Sequence, residues 1–259
     1  MKNKTLINIH ARHYIEAVFA QRLKREGFVC PDDKLLCWYR IRNGEVLDTV
    51  SFCSKWAELP LFLGIDYETV PLFIRHEYHP NVQYNPGPME RWDCTLHCGI
   101  RECGNPKGAN LRPYSADVLV YAPGHGSRGL YSLTEIILPY MQQINTAYDC
   151  YLSHKANHLD TPPDQRYQFM SREFLEEAVY AGDSEVLQRG KERIETALRM
   201  CDNMIAARPK DQEAKRFLAQ WQQLEICFDA DGRNEYLEIL HQRETENLVA
   251  LMKLLGAKL

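Results

Sequence analysis

The densest set of metal-ligating side chains in this 259-residue sequence runs from Cys94 through His97 and Cys98 to Cys103, three thiols and an imidazole within ten residues. Zinc takes four such donors in a tetrahedral array. His76 and His79, three residues apart, would add a further ligand by closing a loop. The spacing C-x3-C followed by x4-C lacks the two-residue knuckle of common structural zinc sites, and the adjacent His97 and Cys98 are poorly placed to ligate together. Buried or incidental thiols explain the same residues, so zinc is an alternative and no cofactor is required.

A glycine pattern stands closer to the middle of the chain. Gly124-His125-Gly126-Ser127-Arg128-Gly129 fits G-x-G-x-x-G, follows the apolar run Val118 to Ala122 and precedes a helical pattern. Pro123 separates run from motif, and no parallel strand returns afterwards, so the dinucleotide crossover is missing. A permissive glycine turn is the simpler reading. A weaker chemical version keeps His125, Arg128 and backbone N–H groups beside a helix start as an anion site.

Other pairings offer less. His10 and His13 stand at the start of a helical pattern, and His154 and His158 are one turn apart near the end of another; each spacing suits a metal half-site, but solvated surface accounts for both, or, for the second pair, favourable charge near a helix C-terminus. Glu176, Glu177, Glu225, Glu244 and Glu246 invite a di-metal bundle, yet no Glu-x-x-His recurs. There is no G-x-S-x-G and no ordered Ser/His/Asp set. Arg12, Arg22, Lys24 and Arg25 share a helix with Glu16 and Glu26, which dilute any basic face.

The elements that would position these groups are legible from periodicity. From about His13 to Glu26 apolar residues recur at helical spacing, with Gly27 placed for a left-handed C-cap and Phe28 docking back. Lys34 to Ile41 and Val46 to Phe52 read as strands joined by the Asn43-Gly44 turn. Leu61 to Ile65, Thr69 to Ile74 and Ala116 to Tyr121 are expected as further strands. Between His76 and Pro113, prolines and glycines are too dense for long regular elements, which suits a functional loop, an insertion or unrecognised short strands.

After residue 130 the period becomes helical. Ser132 and Glu135 form a capping-box pattern before one long helix running to Leu152, with Pro139 either kinking it or delaying its true start. Further helices are expected over Ser171 to Ala181, Ser184 to Ala207, Asp211 to Phe228 and Glu235 to Leu255. Leu187, Ile194, Leu198, Cys201, Met204 and Ile205 supply an inward stripe on one, and Phe217, Leu218, Trp221, Leu224 and Phe228 on the next. The last helix, with Tyr236, Ile239, Leu240, Leu248, Leu251, Met252 and Leu255, must pack back on the sheet or meet another chain.

Two stretches resemble known families. Arg25-Glu26-Gly27-Phe28, Trp38-Tyr39-Arg40, Gly44-Glu45-Val46-Leu47, Val50-Ser51-Phe52 and Phe62-Leu63-Gly64-Ile65, within Phe19 to Ile65, resemble uncharacterised bacterial domain families in which a helix ends at Gly-Phe before an antiparallel sheet, some of them related to toxin-immunity proteins. The joint from Ala197 through Pro209 to Ala214 resembles the boundary between tetratricopeptide repeats. The first resemblance implies a fold and carries no catalytic residue. The second covers a single joint without a sustained repeat, and antiparallel helices explain the same residues.

A formal net charge of −4, with the acidic excess in the C-terminal half, leaves no overall positive field for nucleic acid. No apolar run is long enough for a signal peptide or a spanning helix, and an odd count of nine scattered cysteines is no disulfide framework, so the expected setting is the cytoplasm without a membrane partner. The reading is an α+β protein: residues 1–130 a mostly antiparallel sheet with a packed helix, residues 131–259 an antiparallel helical region. It leans against an enzyme and towards a non-catalytic bacterial protein-interaction or immunity-type protein, with a protein partner or self-association through the C-terminal helices. The alternatives are a ligand-binding protein or enzyme with a pocket in residues 76–129, and a zinc-stabilised adaptor.

Overall fold

The computed structural model of the chain describes residues 15–31, 37–55, 62–74, 119–120, 130, 132–160, 170–228 and 232–256, with backbone alone at 37, 51–55, 62–66, 68, 119–120, 132, 136, 157–160 and 213. The α+β class holds. An antiparallel sheet of order β1-β2-β3-β4 comprises Cys37–Arg42, Val46–Lys55, Phe62–Pro71 and the two-residue Leu119–Val120. The two strands expected around Leu61 and Ile74 are one: Phe62–Pro71 pairs along its whole length with β2, from Lys55↔Phe62 to Val46↔Pro71, and residues 72–74 turn away.

The first helix, α1, is a π-helical turn Glu16–Ala20 continuing as Gln21–Arg25. It ends as its sequence demands. Gly27 has φ +83, its N–H donates to Lys24 O at 3.1 Å and that of Phe28 to Leu23 O at 3.0 Å, the paired bonds of a Schellman cap. At the β1–β2 turn, Asn43 and Gly44 both have positive φ, and Glu45 N–H donates to Arg42 O. Pairing resumes only at Val46, one residue later than a two-residue turn requires, because the Glu45 carbonyl accepts from Leu72 N–H at 2.8 Å.

Strand β2 is buried on both faces, from Val46 to Val50. Trp38 and Val50 face α1 and the next helix, α2, whose π-helical Ser132–Ile137 runs into Leu138–Gln143; Phe19, Leu23, Ile137 and Met141 complete that cluster. Tyr39, Leu47 and Val70 face the larger cluster made with α3 (Ala147–Asp160), α4 (Arg172–Ala181), α5 (Ser184–Ala207), α6 (Gln212–Glu225 with the 3-10 turn Ile226–Phe228) and α7 (Gly232–Leu254). Both clusters draw on residues from either side of residue 130.

The long helix expected through Leu152 is two helices. Leu130 is already helical, so Ser132 is not the cap, and Pro139 sits where the π turn passes into the α turn. The break falls at Ile144, extended at φ −103 and ψ 100, whose side chain joins Val46 and Cys150. Thr146 and Asp149 cap α3 reciprocally, the Asp149 carboxylate accepting from Thr146 N–H at 2.9 Å and Thr146 Oγ1 from Asp149 N–H at 3.1 Å. The sheet turn secures the break: Asn43 donates to Asn145 O, and Glu45 accepts from Ala147 N–H.

The remaining helices stand where the periodicity put them, capped by Ser171, Asp183 and Asp211. Gly190 of α5 lets that helix ride directly on α4, since a Cβ there would lie 2.4 Å from Leu175 Cδ2. Ile194, Ala197 and Cys201 are buried on α5 and Ala214, Trp221 and Leu224 on α6, and Arg193 stacks over Trp221. Two expected stripe members, Met204 and Phe217, are exposed. Helix α7 packs back: Asn247 Nδ2 donates to Leu72 O at 2.6 Å, and Tyr236, Leu240 and Leu251 are buried. Among the described residues no helix is long and apolar enough to cross a membrane.

Candidate functional site

Helix α4 carries the unusual chemistry. Its sequence, Arg-Glu-Phe-Leu-Glu-Glu-Ala-Val over residues 172–179, reads as an amphipathic surface turn, yet all eight residues are buried. Burying four ionisable side chains on one helix requires partners for each, since an unpaired interior charge is severely penalised. The neighbouring helices supply them.

Glu176 is fully buried, and its Oε1 accepts from Tyr236 OH at 2.7 Å, Arg243 Nη1 at 2.8 Å and Arg172 Nη1 at 3.2 Å. Burial alone would push its carboxyl up; the charges of Arg172 and Arg243 and the bonds from Arg243 and Tyr236 hold it below the usual carboxylate range. Burial and then the charge of Glu176 push the Tyr236 phenol up, so it stays a donor. Arg172 also reaches Glu173, whose carboxyl burial raises despite that pairing.

Glu177 points to α3. Its Oε2 lies 2.6 Å from His154 Nδ1, with the side chains 0% and 3% exposed. Burial raises the Glu177 carboxyl, and the paired imidazole only partly offsets this. Among the described residues, His154 Nε2, Glu177 Oε1 and Glu176 Oε2 are buried without a hydrogen-bond partner. One turn before His154, Cys150 is also buried, and burial followed by the charge of Glu177 pushes its thiol up, which removes nucleophilic character.

Two further clusters fasten helices around this centre. Asp183, which caps α5, accepts from Tyr151 OH at 2.5 Å and pairs with Lys155; burial opposes its charge, but those donors and the Val186 N–H hold it down to about 2. On the opposite sheet face the fully buried Asp48 accepts from Arg40 Nε, Arg42 Nη2 and Thr69 Oγ1 at 2.8–2.9 Å. Arg40 also donates to Glu26 O and stacks on Phe28, tying the end of α1 to the strands.

Cys94, Cys98, Cys103, His76, His79 and His97 lie outside the described residues, as do Gly124 to Gly129 and the pair His10 and His13. His154 is no solvated surface group: its partner is Glu177, and the side chain of His158 is outside the described set. Glu176 and Glu177, suggestive of a metal bundle in the sequence, are instead held by Arg172, Arg243, Tyr236 and His154. Glu244, half-buried, is beside His241, and the exposed Glu246 accepts from Gln242. Among the described residues no group of three or more His, Cys, Asp or Glu is arranged to hold a metal ion. The roles of Tyr236 and Arg243 carry no sequence signal beyond a polar interruption of an apolar stripe. The chain matches no protein-family model, no curated protein and no solved structure.

Proposed function

We propose that the chain works without intrinsic catalysis, as a protein-interaction protein whose contact surface is the free end of the α5–α6 hairpin. The observation that carries this reading is the exposure of Met200 (56%), Met204 (47%) and Phe217 (40%). Met200 and Met204 are one turn apart on α5 and share a face. Met204 lies three residues before the end of α5 and Phe217 five after the start of α6, so both stand within two turns of the connection between the helices. Exposed unbranched methionines and an exposed aromatic ring suit adaptable protein contacts.

Charge supports one class of occupant. Arg199, Arg208, Lys210, Lys215 and Arg216 are exposed around these residues, against Glu195, Asp202, the capping Asp211 and Glu213 in the first turn of α6, a small basic excess. A partner helix with an apolar stripe flanked by acidic residues complements this end. The interior carboxylates, by contrast, are occupied by one another's partners. The immunity-type role implied by the N-terminal resemblance is one form of such binding, in which a protein blocks another by covering it.

Photo-cross-linking from position 204 of the full-length protein in its own cells, with the exposed Gln188 on the same helix as control, tests the reading. The expected product is one acidic protein, lost with Met200→Glu and Phe217→Glu. Labelling no stronger at 204 than at 188 would overturn the proposal, and cross-links confined to a second copy of the chain would replace the acidic partner with self-association.

A further inference from the structure

The bond between His154 and Glu177 joins α3 to α4, and among the described residues the neighbouring charges are paired with other groups. His154 Nδ1 and Glu177 Oε2 are 2.6 Å apart, and the far atoms of both groups, Nε2 and Oε1, are buried with no hydrogen-bond partner among the described residues. The surrounding charges are committed elsewhere. On α4, Glu176 is held by Arg172, and by Arg243 and Tyr236 from α7; Glu173 is held by Arg172. On α3, Tyr151 and Lys155 are bound to Asp183 at the start of α5. From the sheet, Asp48 and Arg42 bind one another and act on Cys150.

Charge counting then decides which state the interior tolerates. A neutral imidazole beside a carboxylate leaves one net negative charge in the interior, next to Glu176. One added proton, on either group, brings the pair to zero. Burying a net charge costs far more than burying a neutral hydrogen-bonded pair. We propose that His154 and Glu177 form a proton-held latch between α3 and α4, closed while the pair is net neutral and released as that proton is lost, and that release uncovers Cys150.

The direction follows from linkage. Burial raises the Glu177 carboxyl in the folded chain. A carboxyl so raised contributes stability below its unfolded value and loses it as pH rises through its folded one, so the latch opens towards alkaline pH. Cys150 reports the event because it lies one turn from His154, fully buried, in the field of Glu177.

The test uses the full-length protein and 4,4′-dithiodipyridine, with modification of each cysteine mapped by mass spectrometry and each rate divided by that of the urea-unfolded chain at the same pH. Cys201, buried in the α5–α6 seam, is the internal control. The expected result is a normalised Cys150 rate that climbs by about tenfold or more between about pH 5 and about pH 9, as one linked proton allows, while Cys201 stays protected. In Glu177→Gln, which keeps the shape and removes the titration, the climb disappears. A flat wild-type rate at Cys150, an equal climb at Cys201, or an unchanged climb in Glu177→Gln would each overturn the latch; the first two need only the wild-type protein.

Discussion

The hydroxyl of Tyr236 on α7 donates to Oε1 of Glu176 on α4 across 2.7 Å, sixty residues apart in the chain, on the same oxygen that Arg243 reaches. This triad is what fastens the last helix to the central one. Replacing Tyr236 by Phe removes a charge-assisted bond and should cost about 1.5–3 kcal/mol. Arg243→Met leaves a buried carboxylate short of one of its two counter-charges and should cost about 3–5 kcal/mol. Urea unfolding of both single variants and the double variant checks this, and the double should lose less than the sum because both act on one oxygen.

Gly190 is a packing position. A Cβ there meets Leu175 Cδ2 at 2.4 Å, and Leu175 is itself fully buried, so Gly190→Ala should destabilise by about 1–3 kcal/mol despite the better helix propensity of alanine. Leu175→Ala in the same chain should recover part of that loss, read as a positive shift of the unfolding midpoint relative to Leu175→Ala with Gly190→Ala assumed additive.

Asp183 should govern the acid limb of stability. Its folded carboxyl, near 2 against an ordinary 3.8, contributes stability present above the ordinary value and lost as pH falls through the folded one. Asp183→Asn keeps a good N-cap residue and removes the charge. Thermal midpoints measured from pH 6 downwards to about 2 should therefore fall less steeply in the variant than in the wild type between about 4 and 2.

Truncation after Asp231 should unfold much of the chain. It removes Tyr236, Leu240 and Leu251, all fully buried, worth roughly 5–9 kcal/mol together, against about 5–15 kcal/mol for a whole domain. Loss of the near-ultraviolet circular dichroism from Trp38, buried on the far sheet face, is the expected readout. A truncated chain that keeps this signal and unfolds cooperatively would show that α7 is dispensable.

Cys94, Cys98, Cys103 and one of His76, His79 or His97 retain a direct test. A structural zinc would appear as about one metal ion per chain in protein purified without chelator, and its removal would lower the melting temperature. Freshly reduced protein with no metal by elemental analysis would dispose of the zinc-stabilised reading.

The local chemistry of turns and caps was legible in the residues alone. Gly27 and Phe28 end α1, Asn43 and Gly44 turn the hairpin, and Ser171, Asp183 and Asp211 start their helices, because each device closes hydrogen bonds within a few residues. The apolar stripes likewise placed the C-terminal helices within a few residues. The break at Ile144 has a local part, the Thr146–Asp149 cap, and is secured by Asn43 and Glu45 a hundred residues earlier, whereas the burial of α4 rests on tertiary contacts alone. Arg172, Glu173, Glu176 and Glu177 have the composition of a solvated face, and periodicity records apolarity alone. Whether a charge lies in water or in the interior rests on distant partners, here His154, Tyr236 and Arg243, and it is their arrival that makes burial of those charges tolerable.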